Sequence, residues 1–246
     1  MLIMEDVLFR DLGKMEYGPV WDHQEALLQE NVQRKITARE QETIADTRHY
    51  LLFVEHPPVY TLGKSGHMEN VLMDEQTMQE NGIRFYRINR GGDITFHGPG
   101  QIVGYPILDL EKFYTDIGRY LRELEEVIIR VLAFYGLQGD RSPGETGVWL
   151  DPGIKGKERK ICAMGVRCSR WITMHGFAFN VNTDLGYFGN IIPCGIQDKQ
   201  VTSLEKELGR PVSLEEVKAE VLRRFEEVFK VRILEDVPDK TQLMAK

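Results

Sequence analysis

Cys194 is the residue whose neighbours in the sequence most favour covalent chemistry. It lies between Pro193 and Gly195, outside any stretch with the apolar periodicity of a helix or strand. The proline restricts the backbone before the cysteine, and the glycine leaves one side of the thiol uncovered. Because the attacking species is the thiolate, a cationic neighbour must lower the thiol pKa. We therefore predict that Cys194 is a nucleophile with a cationic side chain beside it.

Lys160 is the best candidate for that cation. It begins the segment KICAMGV, which is expected to form a buried strand. Because side chains alternate along a strand, Lys160, Cys162 and Met164 are expected on one face. Ile161 and Ala163 belong to the other face. A lysine exposed at the mouth of the strand is the alternative, since most lysines are exposed.

A glycine-rich segment supplies further polar groups. Residues 90–101 read RGGDITFHGPGQ and lie between two predicted strands. Glycines allow a backbone to approach a ligand closely, although a plain hairpin turn is the alternative. The run GPGQIVG at 98–104 differs from the dinucleotide fingerprint, because its last spacing is too long and a strand follows. A second His-Gly pair begins at His175, where a buried core histidine is the alternative.

The elements that must position these residues alternate irregularly between strands and helices. Strands are predicted near residues 8–12, 50–54, 59–62, 83–88, 102–108, 146–150, 160–167 and 171–182. Helices are predicted after residue 19, at 74–81, at 117–135, and after two capping boxes that begin at Thr202 and Ser213. This order favours an α/β (α+β) fold with a mixed β-sheet flanked by helices.

Composition narrows the class of protein. The 246 residues carry a net charge of −7, which argues against nucleic acid as the main partner. Charges near the amino terminus and the lack of a long apolar run argue against a signal peptide or membrane span. Three cysteines without a C-x-x-C pair suggest neither disulfides nor a metal site, and Cys162 and Cys168 are expected to be packing residues. We expect one cytoplasmic domain, residues 1–235, and a polar tail, 236–246.

Four motifs in this order closely resemble the octanoyltransferases of lipoate biosynthesis, the lipoyl(octanoyl) transferase family. They are RGGDITFHGPGQ at 90–101, KICAMGV at 160–166, HGFAFN at 175–180 and PCG at 193–195. HPPVYTLG at 56–63 and VTSL at 201–204 also match. The resemblance spans about residues 51–208 and implies the biotin/lipoate-protein ligase fold.

The resemblance also implies roles for individual residues. Cys194 would carry the acyl group as a thioester, and Lys160 would lower the pKa of its thiol or take its proton. Cys162 stands where the family usually has a small residue, so its reactivity is an open question. The implied lining of the acyl pocket is Arg90, Gly91, Gly92, Asp93, Ile94, Thr95, Phe96 and His97, then Ala163, Met164 and Gly165, and finally Gly176, Phe177 and Ala178.

A transferase of this family moves an octanoyl group from acyl carrier protein to a lysine. The implied acceptors are the lipoyl domains of 2-oxoacid dehydrogenases and the glycine cleavage H protein, with no cofactor and no ATP. The oligomeric state is open, with a monomer as the default expectation. Basic residues between Lys155 and Arg170 could dock the acidic carrier, although a solvated charged loop is the alternative. The main rival is an ATP-dependent lipoate or biotin ligase of the same fold. A silent acyl-binding protein and a cysteine hydrolase are further alternatives.

Overall fold

The computed structural model describes residues 4–192 and 200–236. The prediction for Cys194 and the polar tail beyond Asp236 therefore lie outside the described residues. Within the described part of the chain, no helix is both long and apolar enough to cross a bilayer.

A mixed sheet forms the centre of the molecule, as predicted. Its strands run in the order β12-β1-β2-β6-β10-β9-β8-β7, and β11 pairs with β9. The strands are β1 (Asp6–Lys14), β2 (His49–Glu55), β6 (Gln101–Ile107), β7 (Gly139–Asp140), β8 (Val148–Leu150), β9 (Arg159–Ser169), β10 (Ile172–Asn180), β11 (Gln200–Val201) and β12 (Arg232–Glu235). The pairs β1–β2, β1–β12 and β9–β11 are parallel, and the other neighbours are antiparallel.

Helices cover both faces of this sheet. One face packs against α3 (Ile117–Phe134) and α5 (Leu214–Phe229), and the other packs against α1 (Tyr17–Glu40). The predicted stripe of α3 is confirmed, because Leu124, Ile128 and Val131 are fully buried. Asp116 caps α3 by accepting the N–H of Arg119. Gly136, at φ 76°, follows the end of the helix, since a residue with a Cβ is disfavoured there.

The glycine-rich segment contains a strand rather than a plain turn. Residues Ile94–His97 form β5, which pairs with β3 (Val59–Leu62) in a small second sheet completed by β4 (Arg84–Arg87). The short helix α2 (Glu75–Glu80), capped by Asp74, precedes β4 as expected. Gly63 N–H donates to the Asp93 carbonyl, so the two glycine-containing loops lie side by side.

Two local predictions require correction. Trp149 pairs with Lys160, and Val148 pairs with Cys162. Ile161 is therefore an extra residue in β9 and forms a β-bulge. Strict alternation therefore fails, and Ile161 and Cys162 both belong to the core on the α3 side. The first capping box is also displaced by one residue. Ser203, not Thr202, caps α4 (Leu204–Leu208), whereas Ser213 caps α5 as predicted.

The turn between β9 and β10 stores backbone strain. Ser169 pairs with Ile172, so the turn has two residues, Arg170 at φ 50° and Trp171 at φ 66°. Positive φ at both positions is typical of a type I′ turn, which prefers Asn-Gly. We expect Arg170→Asn to raise the free energy of unfolding by about 1 kcal/mol in urea titrations. Arg170→Ala removes the same charge but retains a Cβ without a polar group, so a similar gain in that variant would contradict the explanation.

Candidate functional site

A cavity of about 570 Å³ lies between the central sheet and the glycine-rich segment. Its wall includes nearly all the residues assigned to the acyl pocket from the sequence: Arg90, Gly91, Gly92, Asp93, Ile94, Thr95, His97, Ala163, Met164, Gly165, Gly176, Phe177 and Ala178. Phe96 is the exception and corrects that assignment. Its ring stacks on Tyr187 at 4.5 Å between centroids and is fully buried in the core of the small sheet.

Lys160 also lines this cavity, where its ammonium lies near a carboxylate and an indole ring. Its Nζ lies 3.8 Å from Oε2 of Glu145 and 4.5 Å from the centre of the Trp149 ring. The side chain is only 15% exposed, so the alternative of a freely solvated lysine is wrong. The contact with the indole face is a cation–π geometry. Val201, which pairs with Lys160, lines the cavity too.

The loop that carries Glu145 is held in place by the buried carboxylate of Glu125. Glu125 accepts the N–H of Gly147 at 2.9 Å and forms ion pairs with Arg122 and Arg141. Gly147 has φ 112°, and a Cβ there would lie 2.5 Å from the Cys162 carbonyl oxygen. The position therefore requires glycine, and the close approach keeps the loop against β9.

Cys162 is packed in the core instead of facing the cavity. Its side chain is fully buried among the residues that contact α3, and burial raises the pKa of its thiol far above the usual range. A thiol with a raised pKa is a poor source of thiolate. The expectation that Cys162 is a packing residue is thus confirmed.

Arg90 lies buried at the base of the glycine-rich segment. Its Nη2 donates to the Thr61 carbonyl at 2.8 Å and to Thr61 Oγ1 at 3.1 Å, while Nη1 donates to the Gly91 carbonyl at 3.0 Å. A planar guanidinium with several donors can brace two backbone segments at once. Arg90 consequently joins β3 to the loop that forms one wall of the cavity.

A chain of hydrogen bonds continues from Thr61 across the cavity. Gln101 donates Nε2–H to Asn180 Oδ1 and to the Phe96 carbonyl, so its Oε1 accepts from Nδ1–H of His97 at 2.9 Å. His97 Nε2 is then an acceptor facing Thr61 Oγ1 at 3.4 Å. Asn180 donates to the Thr202 carbonyl, and Thr202 N–H donates to the carbonyl of Lys160. These bonds connect the loop at Arg90 with the strand that carries Lys160.

A second buried cluster lies beside His97 and includes residues that sequence reasoning missed. His56 Nδ1 donates to the Met15 carbonyl at 2.7 Å, so Nε2 accepts from the Tyr105 hydroxyl at 2.8 Å. The ring of Tyr17 stacks almost parallel to His97, with centroids 5.9 Å apart. Tyr17 and Tyr105 line the cavity, but they are far from the motifs in sequence and carry no distinctive spacing.

His175 lines the cavity as well. Its Nε2 is 2.8 Å from Asn89 Oδ1, and its backbone N–H donates to Gln24 Oε1. The residue has φ 59°, and its ring is 1% exposed. Burial, with Arg90 and Arg167 nearby, lowers its pKa to about 3. His175 is therefore neutral, so it can hydrogen-bond a ligand but does not supply positive charge.

Acidification is expected to destabilise the fold through these histidines. Burial lowers the pKa of His56 to about 4, whereas an unfolded histidine titrates near 6.5. Because the pKa of His56 is lower in the folded protein than in the unfolded chain, neutral His56 stabilises the fold above about pH 6.5. This stability is lost as the pH falls toward the folded pKa of about 4. By about pH 4, His56 alone should reduce the free energy of unfolding by roughly 3 kcal/mol. Urea titrations of His56→Asn should show a shallower pH dependence than those of His67→Asn, where the exposed His67 is the control. Equal slopes would contradict this.

Within the described residues, no group of three or more histidine, cysteine or acidic side chains could hold a metal ion. Among the described residues, the cavity wall offers Lys160, hydrogen-bonding side chains and backbone groups. Apolar residues supply the rest of the wall, so the cavity suits a ligand with an apolar portion and a polar reacting group.

Comparisons with known proteins give consistent matches. The lipoyl protein ligase A/B catalytic domain matches residues 17–226. An octanoyltransferase of Christiangramia forsetii is 59% identical over 230 residues, covering 93% of this chain and 98% of the relative. One of Flavobacterium johnsoniae is 58% identical over 229 residues, with the same coverage. A bipartite lipoate protein ligase from Thermoplasma acidophilum superposes with a TM-score of 0.68 at 20% identity, covering 99% of this chain and 91% of that one.

Proposed function

This chain belongs to the lipoyl protein ligase A/B catalytic domain family as an acyltransferase, and we propose that it moves an octanoyl group from acyl carrier protein to a lysine of lipoyl domains. The observation that carries the proposal is the cavity in which Lys160 lies at one wall while apolar side chains such as Leu121 and Phe177 line others. It supports an acyl chain held beside a lysine that acts on a nearby thiol.

The proposed reaction has two transfers and begins at Cys194. Its thiolate attacks the thioester carbonyl of the donor, the bond between that carbonyl and the carrier sulfur breaks, and the carrier sulfur leaves as a thiol with the proton that Cys194 gave up. The amine of the acceptor lysine then attacks the acyl-enzyme, forms an amide and releases Cys194. Lys160, which contacts Glu145 and Trp149, lowers the pKa of Cys194 by its positive charge or takes the proton of its thiol.

The donor's acidic carrier protein is proposed to dock near the loop before β9. Arg159 is paired with Asp151 and Glu207, and Arg167 is paired with Glu25, so these two cations are already engaged. Lys155 and Lys157 of this loop are exposed, and so is Arg170 at the opposite end of β9. The charges of the two lysines support docking of an acidic surface at the loop, although exposed lysines contribute mainly to association rate.

Residues 1–235 act as one catalytic domain in the cytoplasm, as a monomer without ATP or another cofactor. The acceptors are the lipoyl domains of 2-oxoacid dehydrogenases and the glycine cleavage H protein. Neither nucleic acid nor a membrane takes part.

Intact mass after incubation with octanoyl-carrier protein and no acceptor tests the proposal. We expect an octanoyl adduct that hydroxylamine removes, that persists in Cys162→Ser and that loses its thioester character in Cys194→Ser. Cys162→Ser is the matched control because Cys162 is buried away from the cavity. Absence of an adduct from a fully loaded donor, with attachment of free octanoate in the presence of ATP, would overturn the proposal in favour of a ligase.

A further inference from the structure

Strand β9 has an open edge inside the cavity, although it lies within the sheet. Its neighbour β10 is buried at every residue, whereas β9 is half-buried throughout Ala163–Ser169. On the other side, β8 pairs only as far as Cys162. The edge of β9 beyond Cys162 is therefore not covered by a strand among the described residues.

The hydrogen-bond pattern shows which backbone groups point out from that edge. Gly91 N–H donates to the Val166 carbonyl at 3.0 Å, from the side opposite β10. In an antiparallel pair, alternate residues direct both N–H and C=O away from the partner strand, so Met164 points the same way as Val166. Within residues 4–192 and 200–236, neither the strand pairings nor the backbone hydrogen bonds outside them give these outward groups of Met164 a partner.

The chemistry of this edge constrains its occupant. Leaving a backbone N–H or C=O unpaired under an alkyl chain costs about 1 to 3 kcal/mol per group, so the acyl chain itself is a poor match. Gly91 covers the neighbouring face of β9, because its carbonyl oxygen would lie 2.8 Å from a Cβ on Gly165. The edge therefore suits a flexible chain that contains amides.

We propose that Met164 binds the pantetheine arm of the donor as a short added strand. This inference rests on the proposed function, in which the donor is a carrier-protein thioester. The β-alanine unit of pantetheine has an N–H and a C=O separated by two methylene groups. Its C=O accepts from Met164 N–H and its N–H donates to Met164 C=O, as in strand addition to a sheet edge. The edge thus orients the arm while the acyl chain enters the apolar part of the cavity.

Octanoyl-pantetheine and two analogues, in each of which one amide is replaced by an ester, test this pairing. The first ester replaces the N–H of the β-alanine unit with oxygen, and the second replaces the N–H of the cysteamine unit. We expect the first to lower kcat/KM for acylation roughly three- to tenfold, because one hydrogen bond is lost. The second keeps both polar groups and only makes the β-alanine C=O a weaker acceptor, so its effect should be smaller. Met164→Leu keeps the backbone and should show the same ratio between the two esters.

The outcomes separate this inference from the proposed function. If octanoyl-pantetheine and octanoyl-carrier protein both fail to acylate the enzyme, the proposed function is wrong. If both acylate it but the two esters react equally well, the function stands and the pairing with Met164 is wrong. The pairing is also wrong if the cysteamine ester is the poorer donor, or if Met164→Leu abolishes the discrimination, because a backbone contact does not depend on that side chain.

Discussion

Lys160→Met is expected to lower the rate of octanoyl transfer by about 10²- to 10⁴-fold while leaving the fold intact. Methionine has a similar length and keeps contact with Trp149, but it has no charge to stabilise the Cys194 thiolate. The remaining thiolate should then follow an ordinary thiol pKa of about 8.5. The rate of acyl-enzyme formation in the variant should therefore rise about tenfold for each pH unit below that value, measured by quenched-flow mass spectrometry.

Lys157→Met is the matched control for this experiment. Lys157 lies three residues earlier in the chain and is exposed, whereas Lys160 lines the cavity. Loss of the exposed charge should leave acylation by octanoyl-pantetheine unchanged. Wild-type rates in Lys160→Met, or equal losses in the two variants, would remove Lys160 from the reaction.

The sequence predicts well the parts of the fold that depend on periodic patterns. The buried stripe of α3 follows from its apolar spacing, because the helix packs on one layer. The strands β9 and β10 were recognisable as long runs rich in apolar residues, and β10 is buried on both faces. The turn at Arg170 was not recognisable, since it lacks the usual Asn-Gly pair. The bulge at Ile161 likewise has no composition that marks it, and it changes which side chains share a face.

The candidate site was predictable only where its residues occur in motifs. Arg90, His97 and Lys160 stand in dense clusters of glycine and polar residues, and all three line the cavity. Glu145 and Tyr17 come from other elements and reach the site only through tertiary packing. Single glutamate and tyrosine residues have no spacing that indicates a partner 15 or 80 positions away. Their roles emerge from distances, which a single sequence does not contain.

Gln101→Leu is expected to reduce both stability and activity. The side chain is 1% exposed, accepts from His97 and donates to Asn180 and to the Phe96 carbonyl. Leucine has a similar volume but leaves these buried partners unpaired, at a cost of about 3 kcal/mol or more in total. For a chain of this size the melting temperature should fall by about 6 to 12 °C. Gln33→Leu, on the exposed face of α1, should change it by less than about 2 °C.

The loss of activity in Gln101→Leu should be larger than its instability alone explains. Without Gln101, His97 loses its acceptor and Asn180 loses the donor that links it to the glycine-rich segment, so the two walls of the cavity are no longer connected. Assays well below the melting temperature should therefore show a lower kcat/KM with the protein fully folded by circular dichroism. Normal kcat/KM in the folded variant would mean that the network stabilises the fold without positioning the substrate. Because Thr202 bonds both Asn180 and the Lys160 carbonyl, we expect the defect to appear in acyl-enzyme formation itself.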